Sequence, residues 1–213
     1  MRRVTRPRGH SAYFYVLPPG RCGFLEREGL LELLAGGPVI ASVKDEAGLE
    51  AAVNSDVSVV FLLFGDVVTI SGLIKRAHDA GKVVFVHLDL VDGLASREAS
   101  VDFVARYTEA DGVLSTKATL TRRAKELGLM AIQRFFLLDS MAISNIAKHL
   151  SPDTSDMIEV LPGLMPKVIR RVCGVTDKPV IAGGLITDKE DVTGALAAGA
   201  VAVSATNPAV WEM

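Results

Sequence analysis

The stretch PVIAGGLITDKEDVTGALAAGAVAVSATN, residues 179–207, contains one complete unit of the fold. It begins with a short apolar run, turns at Gly183–Gly184, continues into an amphipathic segment at 191–200, and ends in the second apolar run AVAVSATN at 200–207. Short β-branched runs on either side of a helical segment are typical of two parallel strands joined by a right-handed crossover. The stretch therefore predicts a strand–helix–strand unit.

The same alternation extends back along the chain to residue 38. Helical segments such as 45–54 and 71–81 separate further apolar runs, which lie at 38–44, 59–65, 83–89, 112–117, 130–138 and 157–163. Eight strands alternating with helices at this spacing fit a single closed α/β barrel of the (βα)₈ TIM type. An open doubly wound sheet is the alternative, and the number of units favours the barrel.

The two ends of the chain depart from the pattern. Residues 1–22 carry five arginines and no acidic residue, so we expect a flexible basic N-terminal arm before a barrel domain at 23–213. The sequence FLEREGLLELLA at 24–35 predicts an extra N-terminal helix that closes the bottom of the barrel. Only PAVWEM follows the eighth strand, so the last helix is truncated and the extra helix is a candidate to cover the gap.

The composition excludes several classes of protein. The net charge of −2 gives no overall attraction for nucleic acid or an anionic membrane. Apolar runs such as VVFLLF at 59–64 are far shorter than the ~18 residues of a membrane span, and the N-terminus lacks a secretory signal. Cys22 and Cys173 have no metal-ligand spacing, and free thiols fit them better than a single disulfide. We expect a cytoplasmic protein with no membrane partner, metal or cofactor.

Polar residues near the strand ends predict a cup inside the barrel. In VVFVHLD at 83–89, alternate apolar side chains form the face that must meet the helices, so His87 and Asp89 point inward. The same argument places further polar side chains inside, namely Ser42, Lys44, Ser115, Lys117, Gln133, Glu159, Ser204 and Thr206. Each of these alone fits an ordinary core residue. A purely structural barrel fills its interior with Val, Ile and Leu, so the whole ring predicts a binding site.

The loops after strands seven and eight predict a phosphate site. Two successive glycines let backbone amides approach an anion, and the sequence Thr187-Asp-Lys-Glu190 predicts a helix beginning at Thr187. Asn207 followed by Pro208 predicts a second helix start beside the first. The alternative is that the glycines only relieve crowding. The candidate phosphate ligands are Gly183, Gly184, Thr206 and Asn207.

Taken together, these strings resemble the glycerol uptake operon antiterminator regulatory proteins. The similarity covers roughly residues 38–211, and it is carried by VFVHLDLVDGL (84–94), GVLSTK (112–117), AIQRFFLLDS (131–140), IEVLPGLMPKVI (158–169), PVIAGGLI (179–186) and AVAVSATN (200–207). The resemblance implies a regulator, not an enzyme, that responds to glycerol 3-phosphate and prevents transcription termination in the leader RNA of glycerol-utilisation operons.

The resemblance also implies ligand contacts. Besides the phosphate loops, the cup would use His87, Asp89, Lys117, Gln133, Arg134 and Glu159. The sequence departs from the family at Lys117, where arginine is more usual, and slightly at the end of the eighth strand. Both changes preserve polarity, so they affect fine specificity rather than the class of ligand.

An RNA-binding surface is not evident from any RNA-recognition motif. Candidate basic surfaces are the N-terminal arm and two helical groups, Arg122–Arg123–Lys125 and Lys167–Arg170–Arg171, although each also fits a solvated helix face. The main alternative function is a barrel enzyme acting on a small phosphorylated substrate, with Lys117 as a Schiff-base amine and Glu159 or Asp89 as acid or base. The sequence does not decide whether the chain forms a homo-oligomer.

Overall fold

The computed structural model describes residues 25–213, except for the side chains of Ala147 and His149. The predicted basic arm and Cys22 lie outside these residues. No helix within the described part of the chain is long and apolar enough to cross a membrane.

The described residues form a closed barrel of eight parallel strands, arranged around the barrel in the order of the sequence, which confirms the predicted (βα)₈ fold. The strands are β1 (Val39–Val43), β2 (Val59–Leu62), β3 (Val83–His87), β4 (Gly112–Ser115), β5 (Met130–Phe136), β6 (Met157–Leu161), β7 (Val180–Gly183) and β8 (Ala202–Ala205). The helices are α1 (Arg27–Gly36), α2 (Glu46–Val53), α3 (Ile70–Asp79), α4 (Glu98–Tyr107), α5 (Ala118–Glu126), α6 (Ser140–His149), α7 (Pro166–Cys173), α8 (Lys189–Ala197) and α9 (Pro208–Trp211).

The lower half of the barrel interior is apolar. Phe61 and Phe85 pack edge to face there, with ring centroids 5.6 Å apart. Helix α1 closes this end of the barrel, because Leu30 and Leu34 are 1% exposed and belong to the same interior cluster. The predicted role of the extra helix as a plug is therefore confirmed.

The gap beside the last strand is covered differently from our expectation. The truncated α9 fills it, because Val210 and Trp211 are buried in the layer between strands and helices. The indole Nε1 of Trp211 also donates to the carbonyl oxygen of Ala205 at 2.9 Å. Helix α1 is committed to the bottom of the barrel and does not provide this cover.

Candidate functional site

A buried ion pair lies inside the barrel, just above the apolar layer. The Glu159 carboxylate on β6 accepts a bond from Arg134 Nε on β5 at 2.5 Å and another from Ser204 Oγ on β8 at 2.5 Å. Glu159 is 0% exposed, so its two oxygens are held entirely by these partners. The carboxylate thus fixes the position of Arg134, and direct contact of Glu159 with a ligand stays a prediction.

Gly183 makes room for this arrangement. The Glu159–Ser204 bond passes across β7, and a Cβ at position 183 would lie 2.4 Å from Ser204 Oγ and 2.6 Å from Glu159 Oε1. Any side chain here would displace one of the two bonded groups. The first glycine of the predicted phosphate loop therefore has a packing role of its own.

Arg134 retains unused hydrogen-bonding capacity. Its bond to Glu159 uses Nε, and its two terminal nitrogens bond to no other residue within 25–213. A guanidinium group carries five N–H donors in one plane, so most of them stay available on a side chain that is 9% exposed. An anion or a hydroxyl-bearing ligand in the cup can accept these bonds.

The inward placement predicted for Gln133 and Ser115 is wrong. Met130 and Ile132 of β5 lie in the interior cluster, so alternation turns Arg134 inward and Gln133 towards the helices. Ser115 aligns with Gln133 and shares this outer side. Both faces of a parallel strand are buried, so a small polar residue or an amide side chain can also lie between the strand and a helix. The polarity of a residue therefore does not by itself show that it faces the barrel interior.

Asp89 lies beyond the end of β3, in a short 3₁₀ turn at Leu88–Leu90, rather than on the strand. Its carboxylate accepts bonds from Ser115 Oγ at 3.0 Å, Thr116 N at 2.8 Å and Thr116 Oγ1 at 3.0 Å. Burial acts to raise the pKa of Asp89, but these bonds outweigh it and hold the pKa below its ordinary value. Asp89 is therefore ionised and ties the loop after β3 to the end of β4.

His87 faces the interior, as the alternation predicted. It is 2% exposed, and its Nδ1 has no hydrogen-bond partner among the described residues, with the nearest Asp89 oxygen 3.9 Å away. Burial and the nearby Arg134 cation lower the pKa of His87 to about 4, although the Asp89 carboxylate opposes this. The imidazole is therefore neutral at physiological pH, and a buried polar atom without a partner is a candidate ligand contact.

The β1–β8 side of the cup carries Ser42, Lys44 and Thr206. These residues line a cleft between the loops that follow the two strands, together with the start of α2. Lys44 is exposed and forms no ion pair within the described chain. Lys117, also predicted to point inward, lies instead at the exposed start of α5, where its ammonium donates to Ser96 Oγ.

The loop after β7 has an unusual backbone. Gly184 and Leu185 are both in the left-handed region, with φ of 75° and 64°. A leucine in this region is uncommon and strained, and such residues concentrate at functional sites. The conformation turns the chain sharply at the mouth of the barrel, and phosphate binding by this loop stays a prediction.

Of the two helix caps predicted at the mouth, one is confirmed and the other is wrong. Asn207 caps α9 as predicted, accepting from Ala209 N at 3.1 Å, and its Nδ2 donates to the carbonyl oxygen of Thr187. Thr187 is not the cap of α8. Asp188 is the cap, and its side chain accepts from the backbone N–H of Asp191. Thr187 instead donates its backbone N–H and its hydroxyl to the side-chain carboxylate of Asp191.

The basic groups separate into paired and unpaired cations. On α5, Arg123 pairs with Asp102 and Glu126, and Lys125 pairs with Asp156. By contrast, Lys167, Arg170 and Arg171 of α7 are exposed and form no ion pair with any residue in 25–213. Their spacing of three and four residues places all three on one face of the helix.

No group of three His, Cys, Asp or Glu side chains in the described part of the chain is arranged to hold a metal ion. The functional candidates are therefore the cup and the unpaired cations. Sequence reasoning missed one further feature, a group of exposed apolar side chains around the mouth of the barrel. The only sign of this group in the sequence is the run Phe135–Leu138, which stays apolar past the last position predicted to point inward.

Comparison with known proteins agrees with the resemblance seen in the sequence. Residues 39–211 match the family model described as glycerol-3-phosphate responsive antiterminator. The Escherichia coli protein YgcP is 44% identical over 184 residues, which cover 86% of this chain and 96% of that protein.

Two solved structures are also similar. The glycerol uptake operon antiterminator regulatory protein from Listeria monocytogenes has a TM-score of 0.79 and 33% identity, covering 83% of this chain and 95% of that one. The glycerol uptake operon antiterminator-related protein from Thermotoga maritima has a TM-score of 0.71 and 33% identity, with coverage of 82% and 98%.

Proposed function

Since the chain belongs to the glycerol-3-phosphate responsive antiterminator family, we propose that it binds glycerol 3-phosphate in the cup and, in that state, binds the leader RNA of glycerol-utilisation operons to prevent transcription termination. The observation that carries this proposal is the unused bonding capacity of buried groups at the barrel mouth. Arg134 keeps free N–H donors, and His87 Nδ1 lacks a partner among the described residues.

The charges in the cup favour one orientation of the ligand. On the β3–β6 side, Glu159 already neutralises Arg134, and Asp89 adds a further negative charge. On the opposite side, Lys44 has no ion-pair partner in the described chain, and β7, which leads into the turn at Gly184, pairs with β8, which leads into Thr206. The phosphate therefore belongs with Lys44, Thr206 and the β7 loop, and the glycerol hydroxyls belong with Arg134 and His87.

Position 184 offers a matched test of the phosphate site. Asparagine and aspartate both tolerate the left-handed backbone, and in both a Cβ would lie 3.1 Å from a Leu161 methyl carbon, so they differ mainly by one negative charge. We expect Gly184→Asp to bind glycerol 3-phosphate at least tenfold more weakly than Gly184→Asn in calorimetric titrations, because like charges a few ångströms apart repel. Equal affinities of the two variants would move the phosphate away from this loop.

The face of α7 is the best candidate for the RNA contact. Cations that are not neutralised by nearby carboxylates are free to release counterions from RNA phosphates, and Lys167, Arg170 and Arg171 form such a group on one helix face. On α5, Arg123 and Lys125 are neutralised by their own ion pairs, which leaves Arg122 as a single cation without an ion pair among residues 25–213. The overall charge of −2 makes a local surface necessary.

Strand β6 connects the two candidate sites. It carries Glu159 and leads directly through residues 162–165 into α7. Gly163 in this connection donates its amide to the carbonyl oxygen of Gly184 at 3.1 Å, so the loops after β6 and β7 are joined at the mouth. A ligand that orders the β7 loop can therefore also order the start of α7.

The proposal is tested by measuring whether ligand and RNA binding are coupled. The probe is the leader transcript of a glycerol-utilisation operon from the source organism, titrated by filter binding with and without glycerol 3-phosphate. We expect the ligand to tighten RNA binding at least fivefold, and RNA to tighten ligand binding by the same factor, because coupling between two sites is reciprocal. RNA affinity that is unchanged by saturating ligand would contradict the proposal.

The residues proposed for the enzymatic alternative are engaged in other contacts. The amine proposed for a Schiff base, Lys117, lies at the exposed rim and bonds to Ser96. The carboxylates proposed as acid and base are both fully engaged, Glu159 with Arg134 and Ser204, and Asp89 with the end of β4.

A further inference from the structure

The mouth of the barrel exposes large apolar side chains on the β5–β7 side. Leu138 is 87% exposed and Leu185 is 66% exposed, on the loops after β5 and β7. The full group, which we call the mouth rim, consists of Phe136, Leu138, Met141, Leu164 and Leu185. They lie at or beyond the ends of the adjacent strands β5, β6 and β7, and clustered exposed apolar groups mark interaction sites.

Leu185 adds an independent indication. Its backbone is in the left-handed region, where a leucine is strained, and the strained position holds its side chain in solvent. Packing of the barrel does not require this side chain to be exposed. Strain kept without a gain in burial is typical of a residue that meets a partner.

Phe136 stands at the edge of the cup itself. Alternation along β5 turns Met130, Ile132 and Arg134 inward, so Phe136 is on the same side, two residues above Arg134, where the strand reaches the mouth. It is 52% exposed. Its neighbour in register is Leu161 of β6, the strand that leads to Leu164 and α7. A half-exposed aromatic ring therefore lies at the edge of the cup, on the strand next to the one that leads into the cationic helix.

The charges beside the mouth rim indicate what covers it. Helix α7 begins two residues after Leu164 and presents Lys167, Arg170 and Arg171, which have no ion-pair partner among residues 25–213. An aromatic platform next to a row of free cations is the combination by which proteins hold single-stranded nucleic acid, because bases stack on the ring and phosphates meet the cations.

We infer that unpaired bases of the RNA dock on the mouth rim, with one base stacked on Phe136 and the following phosphates on α7. The inference rests on the proposed function, and it adds that the RNA lies over the occupied cup rather than on the helix alone. The ligand and the RNA then share a boundary at Phe136, and each shields the other from water.

The test compares Phe136→Ser and Phe136→Trp with the control Tyr107→Ser. Tyr107 ends α4, is 69% exposed, and lies away from the mouth. In filter binding of the leader transcript with saturating glycerol 3-phosphate, we expect Phe136→Ser to lose about tenfold in affinity, while Phe136→Trp and Tyr107→Ser stay within twofold of wild type. Leader RNA with 2-aminopurine at unpaired positions should show quenched fluorescence with wild type and Phe136→Trp but not with Phe136→Ser.

The outcomes separate the two proposals. If wild type binds RNA in a ligand-dependent manner and Phe136→Ser does so equally well, the mouth rim is not the docking surface and only this inference fails. If wild type shows no ligand-dependent RNA binding, the proposed function fails first. Phe136-dependent binding to phosphatidylserine vesicles, with RNA affinity independent of Phe136, would overturn the inference in favour of a lipid surface.

Discussion

Replacing Arg134 with methionine is expected to lower the free energy of unfolding by about 3–5 kcal/mol. The change removes the cation that faces Glu159, a carboxylate that is 0% exposed and otherwise bonded only to Ser204 Oγ. A buried carboxylate with no counter-charge must either take up a proton or disrupt its surroundings. Urea denaturation with linear extrapolation measures the loss.

The double variant Arg134→Met/Glu159→Gln is the control for this prediction. It removes both charges and keeps a group that can still accept a bond from Ser204. We expect it to recover at least half of the stability lost in Arg134→Met, because most of the loss comes from the unpaired charge rather than from lost packing. A loss below about 1 kcal/mol in the single variant, or a double variant no more stable than the single one, would contradict a buried ion pair as described.

Reversing the charge of both arginines on α7, in Arg170→Glu/Arg171→Glu, is expected to reduce affinity for leader RNA at least 100-fold near 0.15 M salt. Two cations are replaced by anions on a surface whose contact with RNA depends on phosphate neutralisation. The slope of log affinity against log salt should become shallower, and glycerol 3-phosphate affinity without RNA should change less than twofold.

Arg122→Glu is the matched control for this surface. Arg122 is exposed on α5 and forms no ion pair with a described residue, so the substitution changes charge by the same amount per position on a different helix. We expect the control to retain RNA affinity within about threefold. Arg122→Glu reverses one charge where the α7 variant reverses two, so a loss of about tenfold or more in the control would mean that overall charge, not α7, governs binding.

The alternation of the sequence was sufficient to predict the barrel, because each strand is short, apolar and followed by a helical segment. Side-chain direction was predictable only where one face of a strand was clearly apolar. This held for His87 and Glu159 and failed for Gln133, which lies beside Arg134 so that either could face inward. In β5 the register with β4 and β6 decides which of the two side chains faces inward, and that register is set by the closed sheet.

The polar contacts in the cup depend on distant parts of the chain. Glu159 joins residues 25 and 45 positions away in sequence, so its commitment to Arg134 and Ser204 follows only from the closed barrel. Gly183 was identified as a loop glycine, but its packing role requires the bond that crosses it. The mouth rim was missed because exposure of an apolar residue at a strand end depends on what the neighbouring loops cover.

Leu30 and Leu34 plug the bottom of the barrel, and within residues 25–213 the cup opens at the mouth. If RNA lies over that opening, release becomes ordered: the transcript must depart before glycerol 3-phosphate can escape. The lifetime of the complex is then governed by the residence time of the RNA, however quickly the free effector is depleted. Each complex would then keep the glycerol 3-phosphate that was bound when its transcript was captured. A later fall in glycerol 3-phosphate concentration would affect only protein molecules that carry no RNA.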